Sequence, residues 1–329
     1  MTMSTVILVG WLIFLKNLNK MYDLIIIGAG PAGMTAAIYA ARRKIKFLIL
    51  SLDVGGQMSW GSEIENYPGT THTSGIELTR SFQEHMRVYG IKIKTEEVAS
   101  ITKKGKKIVV KTKKSSYDSK AVIIASGKSP KKLNVLGEEN LLGKGLSYCA
   151  ACDAPIYKNK AVVIVGGGNS GLGAALFLSK YSKKVYLLEA MPKITGEAYL
   201  RDKVLKNRKI GVITGAKVKE ILGKNFVTGF IYEKDGNEKK IGVDGIFVEV
   251  GLITKADFVK VKKNKWGEIM IFRSTKTHDE NLTNVSGIFA AGDVTDIPAK
   301  QIVVAAGEGC KAALAAFDYI HRWDGKIKK

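Results

Sequence analysis

The order of apolar and polar positions divides this chain into short strands and amphipathic helices that alternate. Tyr22–Ile27 reads Tyr-Asp-Leu-Ile-Ile-Ile, the near-continuous apolar run of a strand covered on both faces. An alanine-rich helix is predicted over residues 34–41 and a second strand over 47–50. The same succession returns later: a strand at Ala161–Val165, a helix over 172–178 and a strand over 185–188. A longer helix is predicted over about 301–319. Strands that alternate with helices imply an α/β chain built on parallel sheets.

Each strand-to-helix turn carries a glycine motif. Gly28-Ala29-Gly30-Pro31-Ala32-Gly33 follows the first strand, and Gly166-Gly167-Gly168-Asn169-Ser170-Gly171 follows the later one. In that context G-x-G-x-x-G is a dinucleotide fingerprint. The glycines make the turn, let backbone approach a pyrophosphate and let helix and strand pack closely, while free N–H groups at the helix start face the phosphates. Two such folds in one chain imply two dinucleotides, and a flavin–nicotinamide pair is the natural use. The second strand of the later fold ends at Glu189, where a carboxylate accepts from a ribose 2′-OH and repels a 2′-phosphate. The expectation is NADH rather than NADPH. Ser51 holds the equivalent place in the first fold.

Composition narrows the classes. The 329 residues are 46% hydrophobic and 25% charged, which excludes a disordered, collagen-like or disulfide-stapled chain and leaves room for two domains. The formal charge of +22 raises a nucleic-acid or membrane partner. However, the lysines fall in scattered runs (103–107, 111–114, 260–265 and 326–329) without aromatic interleaving, as on solvated turns and edge strands. Neither a nucleic-acid nor a membrane partner is expected. Residues 6–15 are an apolar run of ten, short of the roughly 20 that span a bilayer and without signal-peptide flanks. A complete strand begins just after Met21, so residues 1–20 are expected to be a non-native or weakly ordered extension.

There are three cysteines, Cys149, Cys152 and Cys310. One C-x-x-C with no second pair and no nearby histidine leaves a zinc site half its ligands. What remains is a redox dithiol in a reducing, cytoplasmic compartment. Asp153 follows directly and can donate and accept protons for the thiols.

Taken together, the motifs GAGPAG (28–33), GGQ (55–57), EIENYPG (63–69), CAACD (149–153), GGGNSG (166–171), GIFAAGDV (287–294) and KQIVVAAGEGCKAAL (300–314) resemble the low-molecular-weight thioredoxin reductases. They also resemble the flavoprotein reductase of alkyl hydroperoxide reductase, without its N-terminal dithiol domain. The resemblance implies two Rossmann-like domains of three-layer ββα character, the flavin domain being discontinuous: 21–134 with 252–329 for FAD, and 135–251 for NAD(P)H and the dithiol. It places Gly28, Gly30, Pro31, Ala32, Gly33, Ser51, Gly56, Gln57, Asn66, Gly127, Gly292, Asp293, Gln301 and Ile302 at FAD. Gly166, Gly168, Asn169, Ser170 and Glu189 fall at the nicotinamide dinucleotide. By the same resemblance Cys152 faces the flavin and Cys149 attacks the partner disulfide. Cys310 is then a buried structural thiol, and His72, His85, His278 and His321 match no catalytic position.

The family's 2′-phosphate-reading His-Arg-Arg is here Glu189-Ala190-Met191, and the return linker 251–255 lacks its usual proline. The implied enzyme passes electrons from a nicotinamide through FAD and the dithiol to a thioredoxin-like or glutaredoxin-like protein, as a homodimer. A reductase feeding a peroxide-reducing system is the alternative, as is a flavin-dependent NADH oxidase, which has no need of the C-x-x-C. Nicotinamide and dithiol share one domain and both must reach the flavin, so a hinge is expected where the chain crosses between domains, near 132–137 and 251–255. Mass measurement of the native N-terminus is expected to give a chain starting at Met21; one starting at Met1 overturns the start-site reading.

Overall fold

The structure, a computed structural model, describes residues 21–60, 64–254, 256–272 and 279–323, so the expectations for residues 1–20, His278 and the tail at 326–329 lie outside it. The chain forms two compact units. The first takes the chain up to Gly56, then Thr79–Gly127, then the stretch from Thr254 onwards; the second takes Gln57–Leu78 and Lys128–Ile253. The segment 57–78, which from sequence goes with residues 21–134, groups with the second unit.

In the first unit, strand β1 (Tyr22–Ile27) pairs in parallel with β2 (Phe47–Ser51) on one side and β6 (Ser116–Ile124) on the other. β3 (Ile93–Thr95) extends the sheet beyond β2. Antiparallel β5 (Lys107–Thr112) and β4 (Val98–Lys104) extend it beyond the first half of β6, and β17 (Ile288–Ala290) pairs with its second half. Leu24, Ile25 and Ile26 are wholly buried, as a strand covered on both faces must be. The run at 103–107 makes the tip of the edge hairpin β4–β5, where Gly105 takes the left-handed conformation the turn requires.

Helix α1 (Pro31–Arg42) follows β1, and α2 (Gly75–Val88) starts on a reciprocal cap. The Glu77 N–H donates to Ser74 Oγ at 3.2 Å and the Ser74 N–H to Glu77 Oε2 at 2.9 Å.

The second unit repeats the plan. β9 (Ala161–Val165) pairs in parallel with β10 (Lys184–Glu189) and β15 (Gly245–Val248), and β11 (Ile210–Thr214) and β8 (Leu146–Ser147) close the two edges. Alternate residues of β9 serve opposite cores. Val162 and Ile164 pack toward α5 (Asn169–Ser179) and α6 (Ala198–Lys206). Val163 and Val165 pack toward the antiparallel sheet of β12 (Ala216–Gly223), β13 (Val227–Lys234) and β14 (Asn237–Ile241). Helices, parallel sheet and antiparallel sheet are the three layers that the family resemblance implies. Two single-turn helices, α3 (Glu138–Leu141) and α4 (Ala150–Asp153), flank β8.

The chain enters the stretch Lys128–Ile253 through β7 (Ser129–Pro130) and leaves through β16 (Leu252–Ile253). These two pair antiparallel, Leu252 opposite Pro130 and Ile253 opposite Ser129. The first crossing therefore lies upstream of the expected 132–137, and Ile253–Thr254 falls within the expected 251–255.

The first unit is completed by α7 (Ile302–Trp323), which buries Ala305, Gly309, Ala312, Ala313, Ala316 and Ile320 on one face. Small residues on both helices let α7 and α1 approach closely. A Cβ on Gly309 would collide with the Ala32 carbonyl oxygen, and backbone cannot yield as a side chain can. Gly309→Ala is expected to destabilise the protein by about 2–4 kcal/mol, read as a lower urea midpoint, because the added methyl must part the two helices.

Candidate functional site

Both glycine turns have the same internal logic. At Gly28 (φ +100°) a Cβ would strike the Ala125 carbonyl, and at Gly33 the carbonyl of Gly28 itself. At Gly166 (φ +120°) a Cβ would strike the Glu249 carbonyl, and at Gly171 the carbonyl of Gly166. The middle glycine differs each time. Above Gly30 the nearest atom is the Gly55 carbonyl oxygen at 3.8 Å, and above Gly168 there is nothing within 4 Å. The first and third glycines are thus consumed by backbone packing, and the second opens onto space. Gly30 and Gly168 are also the N-caps of α1 and α5, and neither cap makes a side-chain hydrogen bond. Each turn leaves first-turn N–H groups at a positive helix end with room in front of them, a fit for a pyrophosphate.

Of the residues expected at the first turn beyond the motif itself, Ser51, Gly56 and Gly292 lie against it. Ser51, at the end of β2, accepts the Ala29 N–H at 3.1 Å. The Gly55 N–H donates to the Ala29 carbonyl at 2.8 Å, which lays Gly56 against Gly30. Gly292 and Asp293 form a 3₁₀ turn, with Gly292 close to Ala32 and Ala305. Ile302 is the first residue of α7, Gln301 caps its entry through the Ala305 N–H, and Gly127 ends the second chain segment of this unit. Gln57 and Asn66 belong to the segment that groups with the second unit, where Gln57 Nε2 donates to the Lys128 carbonyl at 3.1 Å. Cys310 is part-buried rather than fully so, and its thiol meets the Tyr39 hydroxyl, an interaction that raises the phenol's pKa.

Around the second turn, Glu189 stands where Ser51 stands in the first. Its Oε2 accepts the Gly167 N–H at 2.5 Å and Oε1 the Met191 N–H at 2.8 Å, so the carboxylate is held at the edge of the glycine loop. Asn169 and Ser170 open α5. The Asn169 amide is engaged, donating to Glu197 Oε1 at 3.0 Å and accepting the Glu197 N–H at 2.7 Å. Glu197 has no motif to betray it in the sequence.

Cys149 and Cys152 form a disulfide with Cα atoms 5.4 Å apart. Cys149 is the N-cap of α4, and its sulfur accepts the Cys152 N–H at 3.2 Å. Ser147 Oγ accepts the Cys149 N–H at 3.0 Å. Cys152 is exposed, whereas half-buried Cys149 lines a cavity of about 310 Å³ with Asp153, Trp60, Leu142, Leu146 and Tyr148 among its walls. A sulfur, a carboxylate and an apolar recess therefore share one place. Trp60 comes to this recess from a segment far along the chain, whereas Tyr148 is the immediate neighbour of Cys149.

No cluster of His, Cys, Asp or Glu among the described residues has the makings of a metal site, and among them no helix is long and apolar enough to cross a membrane. One further acid stands out beside the second turn. Burial pushes the Glu249 carboxyl from 4.5 up to about 7. The native chain therefore holds this proton more tightly than the unfolded chain. The resulting stabilisation is complete below the unfolded value of about 4.5 and is lost as pH rises through 7. Glu249→Gln is expected to remove this slope, leaving the variant more stable than the parent at pH 8 by on the order of 2–3 kcal/mol and equal to it near pH 4, as measured by urea unfolding across pH.

Comparison with known proteins agrees with this geometry. Residues 22–309 match the model of the pyridine nucleotide-disulphide oxidoreductase family. In Staphylococcus epidermidis, one of the proteins that make up alkyl hydroperoxide reductase is 39% identical over 307 residues, covering 92% of this chain and 59% of that protein. The chain thus spans about three-fifths of the length of that relative. Two crystal structures cover nearly all of their own chains. Thioredoxin reductase from Lactococcus lactis is 34% identical with a TM-score of 0.84, over 92% of this chain and 99% of that one. Thioredoxin reductase from T. acidophilum is 39% identical with a TM-score of 0.82, over 91% and 99%. With two dinucleotide-type glycine turns and a vicinal disulfide in one chain, this protein belongs to the pyridine nucleotide-disulphide oxidoreductase family, with the low-molecular-weight thioredoxin reductases as its structural kin.

Proposed function

We propose that this chain is a disulfide reductase of the thioredoxin reductase type, drawing electrons from NADH and delivering them to the disulfide of a small thioredoxin-like or glutaredoxin-like protein. The observation that carries the reading is the Cys149–Cys152 disulfide beside Asp153 and an apolar recess, in the unit that also holds the second glycine turn. FAD, when bound, supplies the two-electron link between a hydride donor and that disulfide. Gly28, Gly30, Pro31, Ala32, Gly33, Ser51, Gly56, Gly127, Gly292, Asp293, Gln301 and Ile302 are assigned to it, with Gln57 and Asn66 at the flavin. The cradle above Gly30 supports this. Gly166, Gly168, Asn169, Ser170 and Glu189 are assigned to the nicotinamide dinucleotide. The carboxylate of Glu189, pinned at the loop edge, supports NADH over NADPH.

The chain's own residues account for the delivery step. In the reduced dithiol, the Cys152 N–H and the start of α4 favour thiolate at Cys149. That thiolate attacks one sulfur of the partner disulfide, forming a mixed disulfide and expelling the second partner sulfur as thiolate. Cys152, giving its proton to Asp153, attacks Cys149 Sγ, breaks the mixed disulfide and restores the Cys149–Cys152 bond. The partner gains two electrons as its sulfurs leave as thiolates; it becomes a dithiol by taking the Cys152 proton back from Asp153 and a second proton from solvent, where Cys149 lost its own on forming the thiolate. The assignment also carries a flavin domain in the first unit, a nicotinamide domain in the second, a hinge at the β7 and β16 crossings, a cytoplasmic setting and a homodimer.

Similarity to the Staphylococcus epidermidis alkyl hydroperoxide reductase protein favours a second reading, in which the acceptor is a peroxide-reducing protein and the thiol chemistry is unchanged.

Anaerobic titration is expected to bleach the flavin band with NADH at lower concentration than with NADPH; no bleaching by either overturns the nicotinamide arm. Cys152→Ser is expected to lower turnover of the protein disulfide by about 10²-fold or more and to trap a mixed disulfide through Cys149. Full-rate turnover overturns the assignment.

A further inference from the structure

We infer that Glu138 and Tyr148 are positioning residues for the dithiol, tying the residues that lead into Cys149 to the segment that follows the β7–β16 ribbon. The inference rests on the disulfide-reductase reading above and extends it to residues that contact neither sulfur.

Glu138 is 2% exposed, and carboxyl oxygens so deeply buried need hydrogen-bond donors to meet them. Three do. The consecutive backbone N–H groups of Leu133 and Asn134 donate to Oε1 and Oε2 at 2.8 and 2.7 Å, and the Tyr148 hydroxyl donates to Oε1 at 2.8 Å. The two amides lie just past Lys131, whose N–H bonds the Gly251 carbonyl at 2.9 Å and so continues the ribbon. Asn134 takes a left-handed φ of +56°, which helps aim two successive amides at one carboxylate. Gly137 is left-handed as well and packs against the Ile221 carbonyl, fixing the turn that carries Glu138.

On the far side, Tyr148 immediately precedes Cys149, and Ser147 Oγ holds the Cys149 N–H. The backbone on the Cys149 side of the disulfide is thus anchored at both preceding residues. By contrast, Cys152 rides on the single turn of α4.

That anchoring bears on redox poise. Closing a vicinal disulfide is favoured in proportion to how well the two sulfurs are held together before they bond. Releasing the Cys149 segment gives the open dithiol more freedom than it gives the bonded disulfide. The tie therefore stabilises the disulfide, and cutting it displaces the couple toward the dithiol.

The test uses the purified holoenzyme equilibrated with reduced and oxidised dithiothreitol in varied ratio. The disulfide exchanges with the reagent dithiol, so that one is reduced as the other closes into its cyclic disulfide. Protein thiols are then trapped by alkylation and counted. Tyr148→Phe is expected to shift the equilibrium toward dithiol by about three- to ten-fold, the scale of the net contribution of one hydrogen bond. Glu138→Gln is expected to shift it further, since an amide cannot accept from both Leu133 and Asn134. Tyr232→Phe, which removes the hydroxyl of a buried tyrosine on β13 of the same unit, is expected to leave it unchanged. An unaltered equilibrium in Tyr148→Phe overturns the inference, as does an equal shift in Tyr232→Phe. If Glu138→Gln fails to fold, Tyr148→Phe against Tyr232→Phe decides. Because the thiols exchange with the reagent directly, the inference can fail while flavin bleaching by NADH succeeds.

Discussion

A carbonyl oxygen lying where a side chain would begin is the constraint on which this molecule depends. At Gly33 and Gly171 the third glycine of each motif presses its Cα against the carbonyl of the first, so the helix rises from the strand with no space for even a methyl group. That closeness fixes the direction of the helix axis, points the free N–H groups of its first turn away from the sheet and leaves the middle glycine bare. Everything downstream follows from the placement. Ser51 and Glu189, one strand over, reach the loop from the same side and bond its backbone at Ala29 and Gly167. One architecture therefore appears twice, and it is differentiated where a hydroxyl in one copy stands opposite a carboxylate in the other.

The parts legible from sequence are those enforced locally. A buried parallel strand must be apolar throughout, and a turn with a backbone collision in place of a side chain must be glycine; both rules print directly into residues 22–33 and 161–171. The dithiol is legible for a related reason, since two cysteines one helical turn apart meet without help from the rest of the fold. What stayed hidden depends on residues far apart along the chain. Nothing near Gln57–Leu78 announces that this stretch groups with the second unit. Asn169 reads as a ligand residue at a helix start, yet Glu197 from another loop takes its amide. Glu249 directly follows the buried strand β15, and only the packing around its carboxyl shows that burial raises its pKa. Glu138 stands in a polar Gly-Glu-Glu stretch, yet it is among the most buried acids described.

The lysine excess has a modest structural meaning. Several lysines are paired on the surface, as Lys107 is with Asp118 at 2.7 Å and Lys132 with Glu139 at 2.7 Å. Exposed pairs such as Lys132 with Glu139 contribute little. The run at 103–107 sits on the hairpin that ends the first sheet, where unpaired backbone invites strand addition and charge discourages it.

The antiparallel pairing of Ser129–Pro130 with Leu252–Ile253 bears on assembly of the chain itself. A unit interrupted by a long insertion must bring distant segments together, and the entropy of closing such a loop grows with the logarithm of its length. Here the insertion draws its own ends side by side as it folds. With Ser129–Pro130 and Leu252–Ile253 paired, the insertion of more than a hundred residues presents a short closure at its own ends in place of a long loop.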